Sequence, residues 1–550
     1  MSKERRYPEG LFFLVFTEFW ERFGYYLMIG LFVLYMTAEK TAGGFGWDNA
    51  DASDIYGTFI AAAYLTPFMG GLLADLKLGY RFSIILGGIL MGIGYCMLAI
   101  PHMWAFYSAL VIMVIGNGFF KPNISTLLGN MFNDPRYVAK KDTGYNIFYM
   151  GINVGAFICN FVGAIMLNKI GWNGAFMAAG IGMFVGVITF CLGIKYYKHV
   201  DVRREPKPED KPFIMHFLKM MGIGVIFAVV GWFFNGTEGS ILSSNSADAF
   251  FMFCIPVIYF FATIYFKSTT EEKKPLKTMF IIFIIVILFW AIFKQNGTAL
   301  TIYAKNYTDR ECPTWFSKVS DSLNLGMVEK IEAKNMDVPQ LDEQFRKIKD
   351  DKGETVMCSD YPSYFKNLDP EKFPQAGKQL SLTNTNLSQS INPFFVIALT
   401  PLLILFFGFL NKRGKEPTTG TKIAYGLLIS ALSTLVMVAA VHYTNNGMVK
   451  ASYWWLIACY GVITIGELCL SPMGLSMVSK LSPPRLTALM MGGWSLATSI
   501  GNKVSGELGK NWDKFDDKAN FFWLNFGLLM FATVLLFFLL KNLNKVFKQS

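Results

Sequence analysis

The sequence predicts an all-α membrane protein that crosses the bilayer many times, and three observations carry that reading. Of the 550 residues, 53% are hydrophobic and only 16% are charged. The apolar residues gather into fourteen long blocks, and a helix needs about 20 of them to span the hydrocarbon core. A few ionisable residues sit inside those blocks. Because each charge at the bilayer centre costs roughly 2.5–3.5 kcal/mol on insertion scales, they mark a polar pathway within a helical bundle.

The first six spans begin near Leu11, Ser53, Phe82, Trp104, Gly144 and Ala175 and form an N-terminal bundle over residues 1–197. The first follows a short basic lead, yet it contains Glu18, Glu21 and Arg22 and no small-residue cleavage site, so it reads as retained rather than as a signal peptide. A basic connection opens residues 198–276, where two additional spans begin near Phe213 and Ala249. The last six begin near Thr278, Asn392, Thr421, Tyr453, Pro484 and Phe521 and make a C-terminal bundle from residues 277–302 and 391–550. Two such halves joined by a hairpin are the usual plan of a transporter that holds its substrate near the midplane.

Residues 303–390 break the pattern with charges of both signs, Pro and Asn. The segment is too long for an ordinary connection, and helix parity puts it outside. Stretches such as MVEKIEAKNM read as short amphipathic helices of a lobe that caps the outer mouth or recognises substrate or a partner.

The net charge of +11 reads as topology. With a cytoplasmic N-terminus, Lys3, Arg5, Arg6, Arg136, Lys140, Lys141, Arg203, Arg204, Lys273, Lys274, Lys412 and Arg413 all fall on inner connections. That positive-inside bias puts both termini in the cytoplasm and argues against a nucleic-acid partner. Six of the eight cysteines lie in apolar segments without metal-ligand spacing, so no metal site is expected. Cys312 and Cys358 share the outer loop, where an oxidising compartment would permit a disulfide.

Glu18, Glu21 and Arg22 fall at i, i+3 and i+4, on one face of the first helix. At 1.5 Å per residue they lie ~10–17 Å inside the membrane, and Lys121, on an antiparallel span, reaches similar depth. Two carboxylates and two cations could thus form one buried network in which protonating an acid frees a cation. A static interhelical salt bridge is the plainer alternative. Tyr25, Tyr26 and Tyr64 follow, as pocket walls or as ordinary packing. Glu467 is a further acid in an apolar span.

These residues sit in longer motifs. GGLLADLKLGYR, with Gly71, Asp75, Gly79 and Arg81, resembles the cytoplasmic signature loop of the major facilitator superfamily. EFWERFGYY from Glu18 to Tyr26, YLTP at Tyr64, GNGFFKPNISTLLG at 116–129, FYMGINVGA at 148–156, FWAIFKQNGT at 289–298 and GELCLSPMGLSMVSKLSP at 466–483 resemble the proton-dependent oligopeptide transporter family, prokaryotic type. The resemblance covers nearly the whole chain except residues 303–390. It implies a major facilitator fold with fourteen transmembrane helices, import of di- and tripeptides by alternating access, protons as the coupling ion, no other cofactor, lipid as surroundings and a plasma membrane, on the helix pair a bacterial inner one.

By the same resemblance Glu18, Glu21, Arg22 and Lys121 couple protons. Arg22, Tyr25, Tyr26, Tyr64, Lys121 and Asn153 line the pocket from one half, and Trp290, Asn392, Glu467, Trp494 and Thr498 from the other. Arg22 and Lys121 would meet the peptide carboxylate and Glu467 the amino terminus. The chain departs from the pattern where the family has an ion pair at the outer gate: Ile29 replaces its Arg, and Lys294 its acid. Lys294 then pairs with another acid or touches substrate. Gly57 stands where mammalian members have a histidine, which leaves proton uptake to carboxylates or lysines. A related carrier of anions or acidic peptides, and a non-transporting peptide sensor, are the competing readings. The chain contains no HExxH and no nucleophile motif with a basic partner, so an enzyme is not expected.

Overall fold

The computed structural model describes residues 7–137, 140–201, 210–233, 244–323, 326–482 and 486–549. Six long helices form the first half: α1 (Gly10–Thr37), α2 (Asn49–Leu73), α3 (Tyr80–Leu98), α4 (Met103–Met131), α5 (Lys141–Ile170) and α6 (Trp172–Tyr197). The additional pair follows as α7 (Asp210–Phe233) and α8 (Asn245–Lys267). α9 (Thr270–Phe293) opens the second half, and short α10 (Ala299–Asn306) and α11 (Thr314–Ser322) lead into the outer lobe. α12 (Ile391–Lys412), α13 (Thr419–Tyr443), α14 (Tyr453–Leu481), α15 (Thr487–Lys510) and α16 (Lys518–Gln549) complete it.

Ten of the described helices are long and apolar enough to cross a membrane. The other long ones are α1, α2, α7 and α15, of which α7 has an apolar stretch over Leu218–Phe233. In α1 and α15 the shortfall has a physical cause: Glu18, Glu21, Arg22, Lys503 and Glu507 lie on these helices, where protein rather than lipid surrounds them.

The halves repeat one packing scheme. α1 lies against α5 and α6, α3 against α4 and α6, and α2 against α4. Likewise α9 lies against α15 and α16, α13 against α14 and α16, and α12 against α14. The halves meet along two seams, α2 with α15 and α5 with α12, and α8 packs beside the first seam on α2, α9 and α15. Polar links between the halves lie from mid-depth outward. The Ser499 hydroxyl donates to the Ala61 carbonyl at 2.6 Å, Asn160 Nδ2 to Ser390 Oγ at 3.0 Å, and Asn49 Nδ2 to Asp513 at 3.2 Å.

The outer lobe differs from the expected amphipathic helices. MVEKIEAKNM supplies strand β2 (Val328–Glu332) and the start of β3 (Met336–Pro339). β2 pairs antiparallel with β5 (Gln379–Thr383), and β3 with β4 (Met357–Asp360). Within β2 the half-buried Glu329 and Ile331 alternate with the exposed Lys330 and Glu332, as a strand against β5 requires, and Val328 is buried at its start. Two short strands, β1 (Thr308–Asp309) and β6 (Ala451–Ser452), pair in parallel and tie the lobe to the second half. The lobe also reaches the first half, where Lys347 pairs with Glu39 at 2.7 Å.

Cys312 and Cys358 are both free, so the disulfide that their shared loop would permit is not made here. They belong to different parts of the lobe: the Cys312 amide donates to Ser381 on β5 at 2.9 Å, whereas Cys358 stands on β4 opposite Val338.

The lobe and the α4–α5 connection lie at opposite ends of the bundle. In whole cells and a background without native cysteines, a membrane-impermeant maleimide should label Met336→Cys and leave Arg136→Cys unlabelled until the membrane is opened. The reverse pattern would invert the topology.

Candidate functional site

The buried charges assemble on α1 in the order their spacing implies. Arg22 Nε lies 3.1 Å from Glu18 Oε1 and also contacts Glu21, and all three side chains are buried. Among the described residues several of their polar atoms, including Glu18 Oε2 and Arg22 Nη2, find no hydrogen-bond partner. The group therefore holds together by charge more than by directed hydrogen bonds. Unsatisfied polar atoms in a dry interior are costly, so such a cluster is sensitive to any change in its own charge or in local water.

Lys121 of α4 stands beside an aromatic ring. Among the described residues it makes no ion pair within 4 Å, and its ammonium sits over the Tyr64 ring, 4.1 Å from the centroid. Lys294 approaches the same ring from the opposite half at 5.7 Å, and also lies 5.7 Å from the Trp290 ring. It too makes no ion pair among the described residues. One tyrosine on α2 thus holds two cations, one from each half, an arrangement favoured by the negative face of its ring.

Arg22 reaches the Tyr25 ring at 5.4 Å, and Tyr25 meets Tyr26 edge-on. The Asn153 amide donates to its own helix at Tyr149. In the second half Asn392 Nδ2 donates to Glu467 Oε2 at 3.0 Å and to Thr464 Oγ1 at 2.8 Å, which fixes the carboxylate. Trp494 is buried against Phe283, and the Thr498 hydroxyl bonds back to the Trp494 carbonyl. Tyr26, Tyr64, Lys121 and Glu467 are partly exposed well inside their helices, and Lys294 at the end of α9 and Asn392 at the start of α12 are partly exposed as well.

On the inner side Gly79 adopts φ 79°, a left-handed conformation that suits glycine, and starts α3. Arg81 Nε then pairs with Asp201 at 2.6 Å, and Asp201 also accepts the Tyr80 amide at 2.8 Å. Gly71 lies against Pro122 of α4. The Asp75 side chain falls outside the described residues. Asp201 had not been expected as the partner of Arg81.

Sequence reasoning also passed over Lys503, which is fully buried and pairs with Asp54 of α2. Its signal was available: GNKVSGELG places a Lys four residues before a Glu in an otherwise small and apolar stretch.

Comparison with known proteins gives one family. A family model described as the POT family matches residues 81–323 and 378–524, leaving part of the lobe unmatched. A Bacillus subtilis protein named as an uncharacterized transporter, YclF, is 29% identical, with 99% of this chain and 95% of that protein covered. A di-/tripeptide transporter of Lactococcus lactis subsp. lactis is 28% identical over 91% of this chain and 89% of its own length. Among solved structures, the peptide transporter POT in complex with sulfate superposes with a TM-score of 0.74 at 27% identity, covering 98% of this chain and 96% of that one. A POT family transporter in complex with 5-aminolevulinic acid gives 0.71 at 26% identity, covering 97% and 96%.

Removing Arg22 alone would leave two buried carboxylates without their cation. Arg22→Leu is therefore expected to lower stability by about 3–5 kcal/mol, the cost of breaking a buried pair from one side. The neutral triple variant Glu18→Gln, Glu21→Gln, Arg22→Leu should recover most of it. Thermal unfolding in detergent measures both, and equal losses in the two would remove the electrostatic explanation.

Proposed function

The chain belongs to the POT family of membrane transporters, and on that premise we propose that it imports di- and tripeptides with protons by alternating access across a bacterial inner membrane, with both termini in the cytoplasm. The observation that carries this reading is the separation of charge across the internal space. Arg22 and Lys121 belong to one half, while Glu467, held by Asn392, belongs to the other. A free peptide carries a carboxylate and an ammonium at its two ends. Charge-assisted hydrogen bonds to both would orient it along that axis and draw the halves together around it.

The Glu18–Arg22–Glu21 group supports the coupling role. When a peptide carboxylate approaches Arg22, it competes with Glu18 and Glu21 for the same guanidinium. A proton taken by one of those acids removes the competition, so substrate and proton favour each other. Reciprocal linkage of this kind is what symport requires. No other cofactor enters the reading.

Lys294 favours a second, narrower reading. It shares the Tyr64 ring with Lys121 and has no acidic partner within 4 Å among the described residues. A pocket with two such ammoniums suits an acidic side chain, a small anion or a phosphonate-like group better than a basic one.

Uptake of labelled dialanine into proteoliposomes tests the main proposal. An inward proton gradient should drive accumulation in wild type and fail to do so in Glu21→Gln. Peptides blocked at either terminus should compete more weakly by about 1.5–3 kcal/mol, or roughly ten- to hundredfold in affinity. Equal competition by blocked peptides would sink the pocket assignment, and binding without uptake would favour a sensor. For Lys294, acidic dipeptides should compete better than neutral ones in wild type, and Lys294→Ala should lose that preference. Unchanged selectivity in Lys294→Ala would leave the lysine without a role in recognition.

A further inference from the structure

The seam between α2 and α15 contains a charged cluster unconnected to the pocket. Lys503 of α15 is 0% exposed. Its ammonium lies 2.5 Å from Asp54 Oδ1 on α2 and 2.9 Å from Glu507 Oε1, one turn along its own helix. It also donates to Thr58 Oγ1 at 2.9 Å and is 3.0 Å from Ser246 Oγ. Asp54 in turn accepts from Ser244 at 3.0 Å and from Ser246 at 2.6 Å, both at the start of α8. The cluster therefore joins the first half, the second half and the additional hairpin at one point.

The local backbone makes that point possible. α2 and α15 cross one turn away at Gly57 and Gly506, where a Cβ on Gly57 would stand 2.7 Å from the Gly506 Cα. Only a pair of glycines lets the helices approach so closely, and the approach brings Lys503 within reach of Asp54. Tyr56 packs on the Gly297 turn that follows Lys294, and Gln295 donates to the Ser505 carbonyl at 3.2 Å. The segment that carries Lys294 is thus in direct contact with both helices of the seam.

We propose that Asp54 and Lys503, with Glu507 and the α8 serines, form the ionic latch that holds the outer gate of this protein shut, and that the additional α7–α8 hairpin is a working part of that gate. The inference rests on the alternating-access reading above. α2 and α15 belong to different halves, and Asp54 and Lys503 lie toward their outer ends. Opening the outer side must therefore break this pair. Unlike most buried ion pairs, it breaks without stranding a charge: Lys503 keeps Glu507 on its own helix, and Asp54 keeps Ser244 and Ser246 if α8 travels with α2. That arrangement lowers the penalty of an unpaired buried charge and gives the seam two supported states. The serines also give the hairpin a reason to contact the seam, since they hold the carboxylate after it has left the lysine.

Spin labels report the gate directly. In the full chain reconstituted in lipid without native cysteines, Trp104→Cys and Trp454→Cys place labels on exposed outer ends of the two halves. Asp54→Asn is expected to increase the long-distance population at least about tenfold, as loss of one side of a buried pair implies. Asp54→Glu should retain the wild-type distribution, and Ser246→Ala, which removes a group that holds the carboxylate once it has left the lysine, should shift it the other way, toward the short distances. Wild-type distances in both Asp54→Asn and Ser246→Ala would overturn the latch. Should wild type bind peptide without accumulating it, the transport reading fails, yet the distance comparison still decides whether this cluster holds the outer side closed.

Discussion

Hydrocarbon cannot solvate a charge, and every notable feature of this protein follows from where its charges are allowed to be. An ionised side chain in a membrane helix must face protein or water, and it needs a partner there. Glu18, Glu21 and Arg22 satisfy one another on α1, Lys503 finds Asp54 and Glu507, and Glu467 is held by Asn392. These groups select α1, α2, α14 and α15 as the helices turned toward the interior. The helices left without such charges, among them α3, α6, α12 and α16, are apolar enough to serve as spans.

The same constraint decides what could be read from the sequence. Spans were legible because their signal is local: a run of apolar residues of sufficient length, repeated fourteen times. The α1 cluster was legible because its members are three and four residues apart, so one helix brings them together. Partners on other helices were not. Lys121 pairs with a ring rather than an acid, Arg81 finds Asp201 from the far end of α6, and Asp54 meets Lys503 across a crossing set by two glycines. Nothing within a short window specifies those distances. In the lobe, MVEKIEAKNM fits a helical face and a strand equally well over so short a length. The partner strand β5, about fifty residues later, decides between them.

Two unpaired ammoniums on one tyrosine would be unfavourable in a sealed apolar core. The aromatic face recovers part of the cost, and internal space open to solvent recovers more. Lys121 and Lys294 come from opposite halves, so their mutual repulsion acts against closure of the cavity around Tyr64. A bound anionic group between them would convert that repulsion into attraction.

Closure of the outer side is distributed over layers with different chemistry. Nearest the pocket, the Lys294–Gly297 turn bears on Tyr56 and Ser505. Above it stands the dry Asp54–Lys503 pair, and above that the lobe, anchored in the second half by β1–β6 and reaching the first through Lys347 and Glu39. The Lys347–Glu39 pair is half-buried but still meets solvent, so it contributes about 1 kcal/mol and weakens with salt. A buried pair resists far more strongly, and removal of one partner costs several times as much. Of the contacts that join the two halves on the outer side, the buried Asp54–Lys503 pair is therefore the more costly to break. The family match takes in α8 and α15 but begins at residue 81, after α2, and leaves residues 324–377 of the lobe outside it, so it covers neither the seam nor the lobe whole.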